Sequence, residues 1–160
     1  MTVREKLGSL GLVTAAPHGS PSGKPFPFVW VRVLGTRVWV SGHVPLEADG
    51  SLARPLGKVG AEVSAAEASL AARKAALAML GSLERELGDL ERITAWIRVL
   101  GFVNTAPGFT QIPAVVNGFS ELVKELYGPV RGAHARSAVG VAELPFGVPV
   151  EVEAELEIAP

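Results

Sequence analysis

The 160-residue sequence contains no cysteine, which excludes disulfide bonds, thiolate nucleophiles and thiolate metal sites. It also lacks any apolar run approaching the ~20 residues that a membrane-spanning helix requires. A formal net charge of −1 argues against the broad positive surface of a nucleic-acid-binding protein. The first twelve residues, MTVREKLGSLGL, place charges too close together for a signal peptide. We therefore expect a cytoplasmic protein with neither a membrane nor a nucleic acid as its partner.

The chain contains enough apolar material to form one core. Hydrophobic residues make up 48% of the sequence and charged residues 19%, as in ordinary globular domains. No internal repeat or long linker divides the chain, so residues 1–160 are predicted to form a single domain. The three histidines, His18, His43 and His134, do not have the spacing of metal ligands, and no metal site is predicted.

Two runs rich in Val and Trp, residues 28–34 and 37–41, are separated by Gly35-Thr36. This arrangement predicts a β-hairpin. Apolar side chains occupy both faces of the first run, whereas a sheet covered on one side only shows a cleaner alternation. We therefore expect the second face of the hairpin to be covered as well, and another subunit is a candidate for that cover.

The spacing of apolar residues predicts four further elements: a short helix at 2–10, a helix at 64–88, a strand at 93–103 and a helix at 110–127. Ser64 and Glu67 form a capping box at the start of the longer helix, and Gly88 ends it. Gly128, followed by proline, is predicted to end the last helix.

The C-terminal stretch reads as two strands around a Pro- and Gly-containing turn. The first strand is predicted at 137–143 and the second at 150–158, where glutamates alternate strictly with apolar residues. The predicted order is hairpin, helix, strand, helix, hairpin. It indicates an α+β fold with two helices packed on one face of a mixed β-sheet.

A set of residues at fixed spacing lies in this stretch: Ala135, Arg136, Ser137, Val139, Val141, Ala142, Leu144, Pro145 and the run 150–154. It closely resembles the C-terminal motif of the RidA (YjgF) family, also called endoribonuclease L-PSP-like. The N-terminal region and residues 54–62 are longer than in compact members, which places the chain in an extended-length subgroup. The resemblance implies a chorismate-mutase-like (bacillus type) fold and homotrimers with ligand clefts between subunits. It also implies hydrolysis of enamines and imines, such as 2-aminoacrylate, to 2-keto acids and ammonia.

The resemblance assigns the two catalytic roles to Arg136 and Glu151. Arg136 matches the arginine that holds a substrate carboxylate through two parallel hydrogen bonds, a geometry that lysine cannot reproduce. Glu151 matches the glutamate proposed to position the hydrolytic water. A carboxylate near an arginine stays ionised and can accept a proton from water. No cofactor is expected, because imine hydrolysis is already easy in water and needs only orientation and charge stabilisation.

Further substrate-binding residues follow from the same resemblance. Asn117 is either a hydrogen-bonding residue of the cleft or part of a helix surface. The backbone near Ser41, Gly42 and Val141 is expected to shape the pocket. Phe28 stands where well-studied members have a tyrosine, so a hydrogen-bond donor is missing there.

His134 precedes Arg136 by two positions, and on a strand both side chains would point the same way. It is therefore either a second donor or base in the cleft, or a loop histidine satisfied by backbone. Two other functions stay open. One is a non-catalytic trimer that binds small carboxylates such as keto acids, which the loss of the tyrosine at Phe28 favours. The other is a ribonuclease, against which the near-neutral charge counts.

Overall fold

The computed structural model describes residues 1–160 and contains one five-stranded sheet with three α-helices. The elements in chain order are α1 (Val3–Ser9), β1 (Val31–Leu34), β2 (Arg37–His43), α2 (Ala65–Leu87), β3 (Ile93–Asn104), α3 (Ile112–Arg131), β4 (Ala135–Val141) and β5 (Val150–Ile158). The strand order across the sheet is β1-β2-β5-β3-β4, and only β3 and β4 run parallel. The predicted α+β architecture with a mixed sheet is confirmed.

The predicted C-terminal hairpin is wrong, because β3 lies between β4 and β5. Each of these strands pairs with β3 along most of its length, β4 in parallel and β5 antiparallel. The turn at residues 144–149 therefore carries the chain across β3 instead of closing a hairpin. Its 3-10 turn, Pro145–Gly147, contains Phe146 at a positive φ of 60°.

The N-terminal hairpin is confirmed, although β1 begins at Val31 and not at residue 28. The two long helices pack against each other and against the same face of the sheet. Their contact is close enough that glycine is required at position 118, where a Cβ atom would overlap the backbone carbonyl of Ser69. The core between helices and sheet is formed by buried side chains such as Trp96 and Phe119.

The helix ends match the local sequence signals. Both hydrogen bonds of the predicted capping box are present at Ser64 and Glu67, and Gly88 follows the last residue of α2. Helix α3 begins at Ile112 and is interrupted at Gly128, whose φ of 78° and ψ of 179° are not helical. One further turn continues to Arg131, so Gly128 breaks the helix without ending it.

No helix covers the other face of the sheet, which we call the outer face. It presents the alternating glutamates of β5 beside apolar side chains, among them the 40%-exposed Trp39 and Val139. A groove of about 620 Å³ crosses this face beside Trp39 and Leu100. No helix of the structure is both long and apolar enough to cross a membrane.

Candidate functional site

Arg136 lies near the start of the edge strand β4, and its side chain turns towards α3. One of its terminal nitrogens, Nη1, donates to Asn117 Oδ1 at 2.9 Å and to Ser120 Oγ at 3.1 Å. The other, Nη2, donates to the Pro113 carbonyl oxygen at 3.4 Å. Asn117 is therefore a hydrogen-bonding partner of Arg136.

His134 acts on Arg136 through Ser120. Its Nδ1 lies 2.8 Å from the Gly132 carbonyl oxygen and its Nε2 lies 2.9 Å from Ser120 Oγ. A carbonyl oxygen can only accept, so Nδ1 carries the proton and Nε2 accepts from the serine hydroxyl. Ser120 is thereby left with lone pairs directed to Arg136.

Both ring nitrogens of His134 are engaged, one by a backbone carbonyl and the other by the Ser120 hydroxyl, so the ring offers no free donor. Burial lowers the pKa of His134, and the positive charges of Arg136 and Lys124 lower it further, while the hydrogen bond to Gly132 opposes them. The ring is therefore kept neutral, in the state that this hydrogen-bond chain requires.

The guanidinium of Arg136 borders a groove of about 350 Å³ lined also by Asn117, Ser120, Lys124 and His134. Arg136 has no carboxylate within salt-bridge distance. One N–H on Nε and one on Nη2 have no acceptor in the chain. Free N–H groups on a fixed guanidinium are suited to a carboxylate, and the groove is large enough for a small one.

Glu151 lies elsewhere, on the outer face at the start of β5, against the backbone of Gly42. Burial raises the pKa of Glu151, and the neighbouring Glu153 carboxylate adds to the effect. The expectation that a nearby arginine keeps Glu151 ionised is wrong for the single chain, since no arginine contributes to its pKa. A carboxylate with a raised pKa is a stronger base than an exposed one.

Three other predicted residues, Phe28, Ser41 and Val141, lie outside the Arg136 groove. Ser41 donates from its hydroxyl to the Val29 carbonyl oxygen at 2.8 Å and lines the outer-face groove together with Phe28. Phe28 is 47% exposed. Val141 lies at the far end of β4, where its carbonyl oxygen accepts from the Thr105 amide at 3.3 Å.

The predicted residues thus form two groups on one chain. Arg136, Asn117 and His134 lie on the helix side of the edge strand, while Glu151 and Gly42 lie on the outer face. The sheet register requires this separation: Val99 of β3 is paired with Arg136, whereas Phe102, three positions further along β3, is paired with Glu151. An odd offset along a strand places side chains on opposite faces.

Two residues of this region were not predicted from the sequence: Ser120, which connects His134 to Arg136, and Lys124, which lines the groove. Both lie on α3 at helical spacing from Asn117, with Ser120 three positions and Lys124 seven positions after it. That spacing is the signal that could have found them. No group of three or more His, Asp or Glu side chains is placed to hold a metal ion.

These features define a small α+β protein with a mixed sheet, two long helices on one face and a groove beside Arg136 at the sheet edge. The family model described as Endoribonuclease L-PSP matches residues 25–158. The chain belongs to this family, whose members include the RidA (YjgF)-type proteins, and the resemblance of the C-terminal motif is confirmed.

Relatives agree with this assignment. Protein TCP17 of Trypanosoma cruzi is 40% identical over 124 residues, which cover 78% of this chain and 76% of that protein. The crystal structure of Atu1372 from Agrobacterium tumefaciens, a protein of unknown function, is 35% identical with a TM-score of 0.87, covering 99% of this chain and 94% of that chain. RidA from the Antarctic bacterium Psychrobacter sp. PAMC 21119 is 20% identical with a TM-score of 0.57, covering 91% and 98%. The last likeness concerns the fold alone, and it confirms the chorismate-mutase-like architecture.

Proposed function

We propose that the protein hydrolyses small 2-imino acids of the 2-aminoacrylate class to 2-keto acids and ammonia. The observation that carries this proposal is the Arg136 guanidinium, held by three hydrogen bonds in a groove and without a carboxylate partner. A fixed, unpaired arginine of this kind binds the carboxylate that every 2-imino acid carries.

The chemistry needs a base beside the imine carbon, and Glu151 is the candidate. Within one chain Glu151 lies two strands from Arg136, about 10 Å across the sheet, and on the opposite face. We therefore place the active site between copies of the chain in a homotrimer, with Arg136 from one subunit and Glu151 from the next. The outer face, which no helix covers, is the surface proposed for that association.

In the proposed reaction Arg136 holds the carboxylate while Glu151 takes a proton from water as the oxygen adds to the imine carbon. Glu151 returns this proton to the nitrogen, which gives the carbinolamine. Glu151 then takes the proton of the new hydroxyl group as the C=O bond forms and the C–N bond breaks, and this second proton goes to the departing nitrogen, which leaves as ammonia. The raised pKa of Glu151 suits both transfers, because it lies closer to neutral pH than the pKa of an exposed glutamate. The same group can then both accept and return a proton. No cofactor enters this sequence.

The test is a coupled assay in which a PLP-dependent dehydratase generates 2-aminoacrylate from serine and pyruvate appearance is followed. We expect the protein to accelerate pyruvate release and Arg136→Gln to abolish the acceleration. Ser9→Ala, at an exposed residue of α1 that does not line the groove, is the control and should retain full activity. Acceleration that survives in Arg136→Gln would refute the assigned role.

A second candidate function is the binding of small keto acids without catalysis. It is favoured by one observation: the carboxylate-binding half of the site is complete in the single chain, whereas Glu151 is not near it. Tight pyruvate binding in calorimetry with no acceleration in the coupled assay would establish this function. The ribonuclease alternative requires free acid and base groups, and the one histidine at the groove has both ring nitrogens engaged.

A further inference from the structure

Ser120 on α3 is paired with a histidine base, and the proposed imine hydrolysis uses this pair only to position Arg136. The Ser120 hydroxyl donates to His134 Nε2 at 2.9 Å, and His134 Nδ1 donates to the Gly132 carbonyl oxygen at 2.8 Å. A nucleophile, a base and a third group that orients the base are thus connected by hydrogen bonds. This is the arrangement that activates a serine for covalent catalysis.

The fold contains a second pair of this kind, between Ser82 of α2 and His43 of β2, but only the pair at Ser120 is accessible. His43 Nδ1 lies 2.7 Å from the Ser41 carbonyl oxygen, and His43 Nε2 lies 2.8 Å from Ser82 Oγ. Ser82 and His43 are 7% and 4% exposed, so a substrate has little access to them. Ser120 and His134 are half-buried and line a groove of about 350 Å³, where a small molecule can reach both.

The protonation state of His134 suits a base. Burial lowers the pKa of His134, and the positive charges of Arg136 and Lys124 lower it further, so the ring is neutral at neutral pH. Its Nε2 is engaged by the proton that it would accept, the hydroxyl proton of Ser120. Arg136 Nη1 also donates to Ser120 Oγ, at 3.1 Å, which places a positive charge beside the oxygen that loses this proton. Free N–H groups of the same guanidinium remain for the carbonyl oxygen of a substrate.

We propose that Ser120 is the nucleophile of a further activity, the hydrolysis of small esters that carry a negative charge. The charge preference follows from the lining of the groove, in which Arg136 and Lys124 are basic and no residue is acidic. Ser120 Oγ attacks the ester carbonyl carbon while its proton passes to His134 Nε2, and the negative charge on the carbonyl oxygen faces Arg136. The C–O bond to the alcohol then breaks, and His134 gives the proton to the departing oxygen.

The acylated Ser120 that remains is hydrolysed by water. The water oxygen attacks the acyl carbon and gives a proton to His134 as it adds. The bond between that carbon and Ser120 Oγ then breaks, and the serine oxygen takes the proton from His134. One ester and one water thus yield an acid and an alcohol, with both side chains returned to their starting state. The reaction uses neither Glu151 nor an imine, so it is separate from the proposed deaminase activity.

Release of 4-nitrophenolate from 4-nitrophenyl acetate, followed by stopped-flow absorbance, tests this proposal. We expect a burst that approaches one equivalent per chain, because the nitrophenyl ester is more reactive than the acylated serine. Peptide mapping by mass spectrometry should place the acetyl group on Ser120. Ser120→Ala should abolish both the burst and the label. His134→Gln should slow acylation roughly a hundredfold or more, because the general base is lost.

Two variants control for folding and for reaction at other serines. Ser120→Cys keeps a nucleophile in a chain that has no cysteine of its own, and it should restore acylation. Restored acylation excludes a folding defect as the cause of the loss in Ser120→Ala. Ser9→Ala removes an exposed serine hydroxyl that donates to the Lys6 carbonyl oxygen and has no histidine partner, and it should retain the full burst.

The charge preference is tested with 5-acetoxy-2-nitrobenzoate, the same ester with a carboxylate on its leaving group. It should acylate the wild type severalfold faster than 4-nitrophenyl acetate, and Lys124→Gln should reduce this preference. Equal rates for the two esters would overturn the charge preference. The proposal itself is overturned by a burst that persists in Ser120→Ala, by an acetyl group mapped to a lysine or to the N-terminus instead, or by a wild type no faster than buffer. No imino acid enters these measurements, so their outcome is independent of the proposed function.

Discussion

Arg136 and Glu151 lie on opposite faces of the same sheet, with β3 between their strands. Arg136 is directed towards α3, and Glu151 packs against Gly42 on the face that no helix covers. A single chain therefore does not bring together the two groups that imine hydrolysis requires. If both act on one substrate, they come from different copies.

This separation predicts that two inactive variants complement each other. Arg136→Gln and Glu151→Gln subunits, co-expressed in equal amounts and purified together without separating the trimer species, should recover about one quarter of wild-type activity. The reason is that each interface independently receives an intact arginine and an intact glutamate with a probability of one half each. Light scattering of the purified sample checks the trimer, and the coupled assay measures the recovery.

The control for complementation is each variant expressed alone, which should show no activity. Mixed trimers that remain inactive would contradict a site shared between subunits, because residues acting within one chain are never both intact in this mixture.

The hydrogen bond between Ser120 and Arg136 predicts a binding defect in Ser120→Ala. Loss of this acceptor frees the guanidinium to rotate, so KM for the imino acid should rise roughly tenfold with kcat changed much less. Ser120→Thr keeps the hydroxyl and should restore KM towards the wild-type value. Steady-state kinetics of the three proteins check this prediction, and an unchanged KM in Ser120→Ala would show that Arg136 needs no positioning by Ser120.

Buried His43 predicts a pH-dependent stability. Burial lowers the pKa of His43 from 6.5 to about 4 in the folded protein, while the unfolded chain keeps the ordinary value. Between these values the unfolded state binds more protons, so the free energy of unfolding falls as the pH is lowered from 6.5 to 4. The contribution of this one group is about 3 kcal/mol.

Urea unfolding of the wild type and of His43→Gln across this pH range measures that contribution. The difference in unfolding free energy between the two proteins should be larger at pH 7 than at pH 4.5. His134, whose pKa is also lowered, is present in both proteins and cancels in the comparison. A difference independent of pH would show that His43 does not remain neutral.

Two glycine-to-alanine substitutions are predicted to have opposite effects on stability, one at the contact of α2 with α3 and one in α1. Gly118→Ala places a Cβ atom into the Ser69 carbonyl and should destabilise the protein by about 1–3 kcal/mol. Gly8→Ala, in α1, meets no atom within 4 Å and should stabilise it by about 0.5–1 kcal/mol. Thermal unfolding of both variants checks the two signs, and a neutral Gly118→Ala would mean that the helices separate easily.

The local elements of this protein were predictable because their causes are local. The capping box at Ser64 and Glu67 starts α2, Gly88 ends it, and the alternation in β5 places its glutamates on one face. The family and the candidate Arg136 were likewise accessible, because they depend on residue identity at fixed spacing along the chain.

The pairing of the strands and the hydrogen-bond partners of the side chains could not be predicted from local sequence. The C-terminal motif places Arg136 and Glu151 close together in sequence and says nothing about β3, which is inserted between their strands by long-range hydrogen bonding. Ser82 and Ser120 have no distinguishing local pattern, and each becomes significant only because a distant histidine packs on its helix. The sequence by itself determined most of the secondary-structure elements and the family. The tertiary structure decided on which face of the sheet each polar residue lies and which partner it contacts, because both depend on contacts between distant segments of the chain.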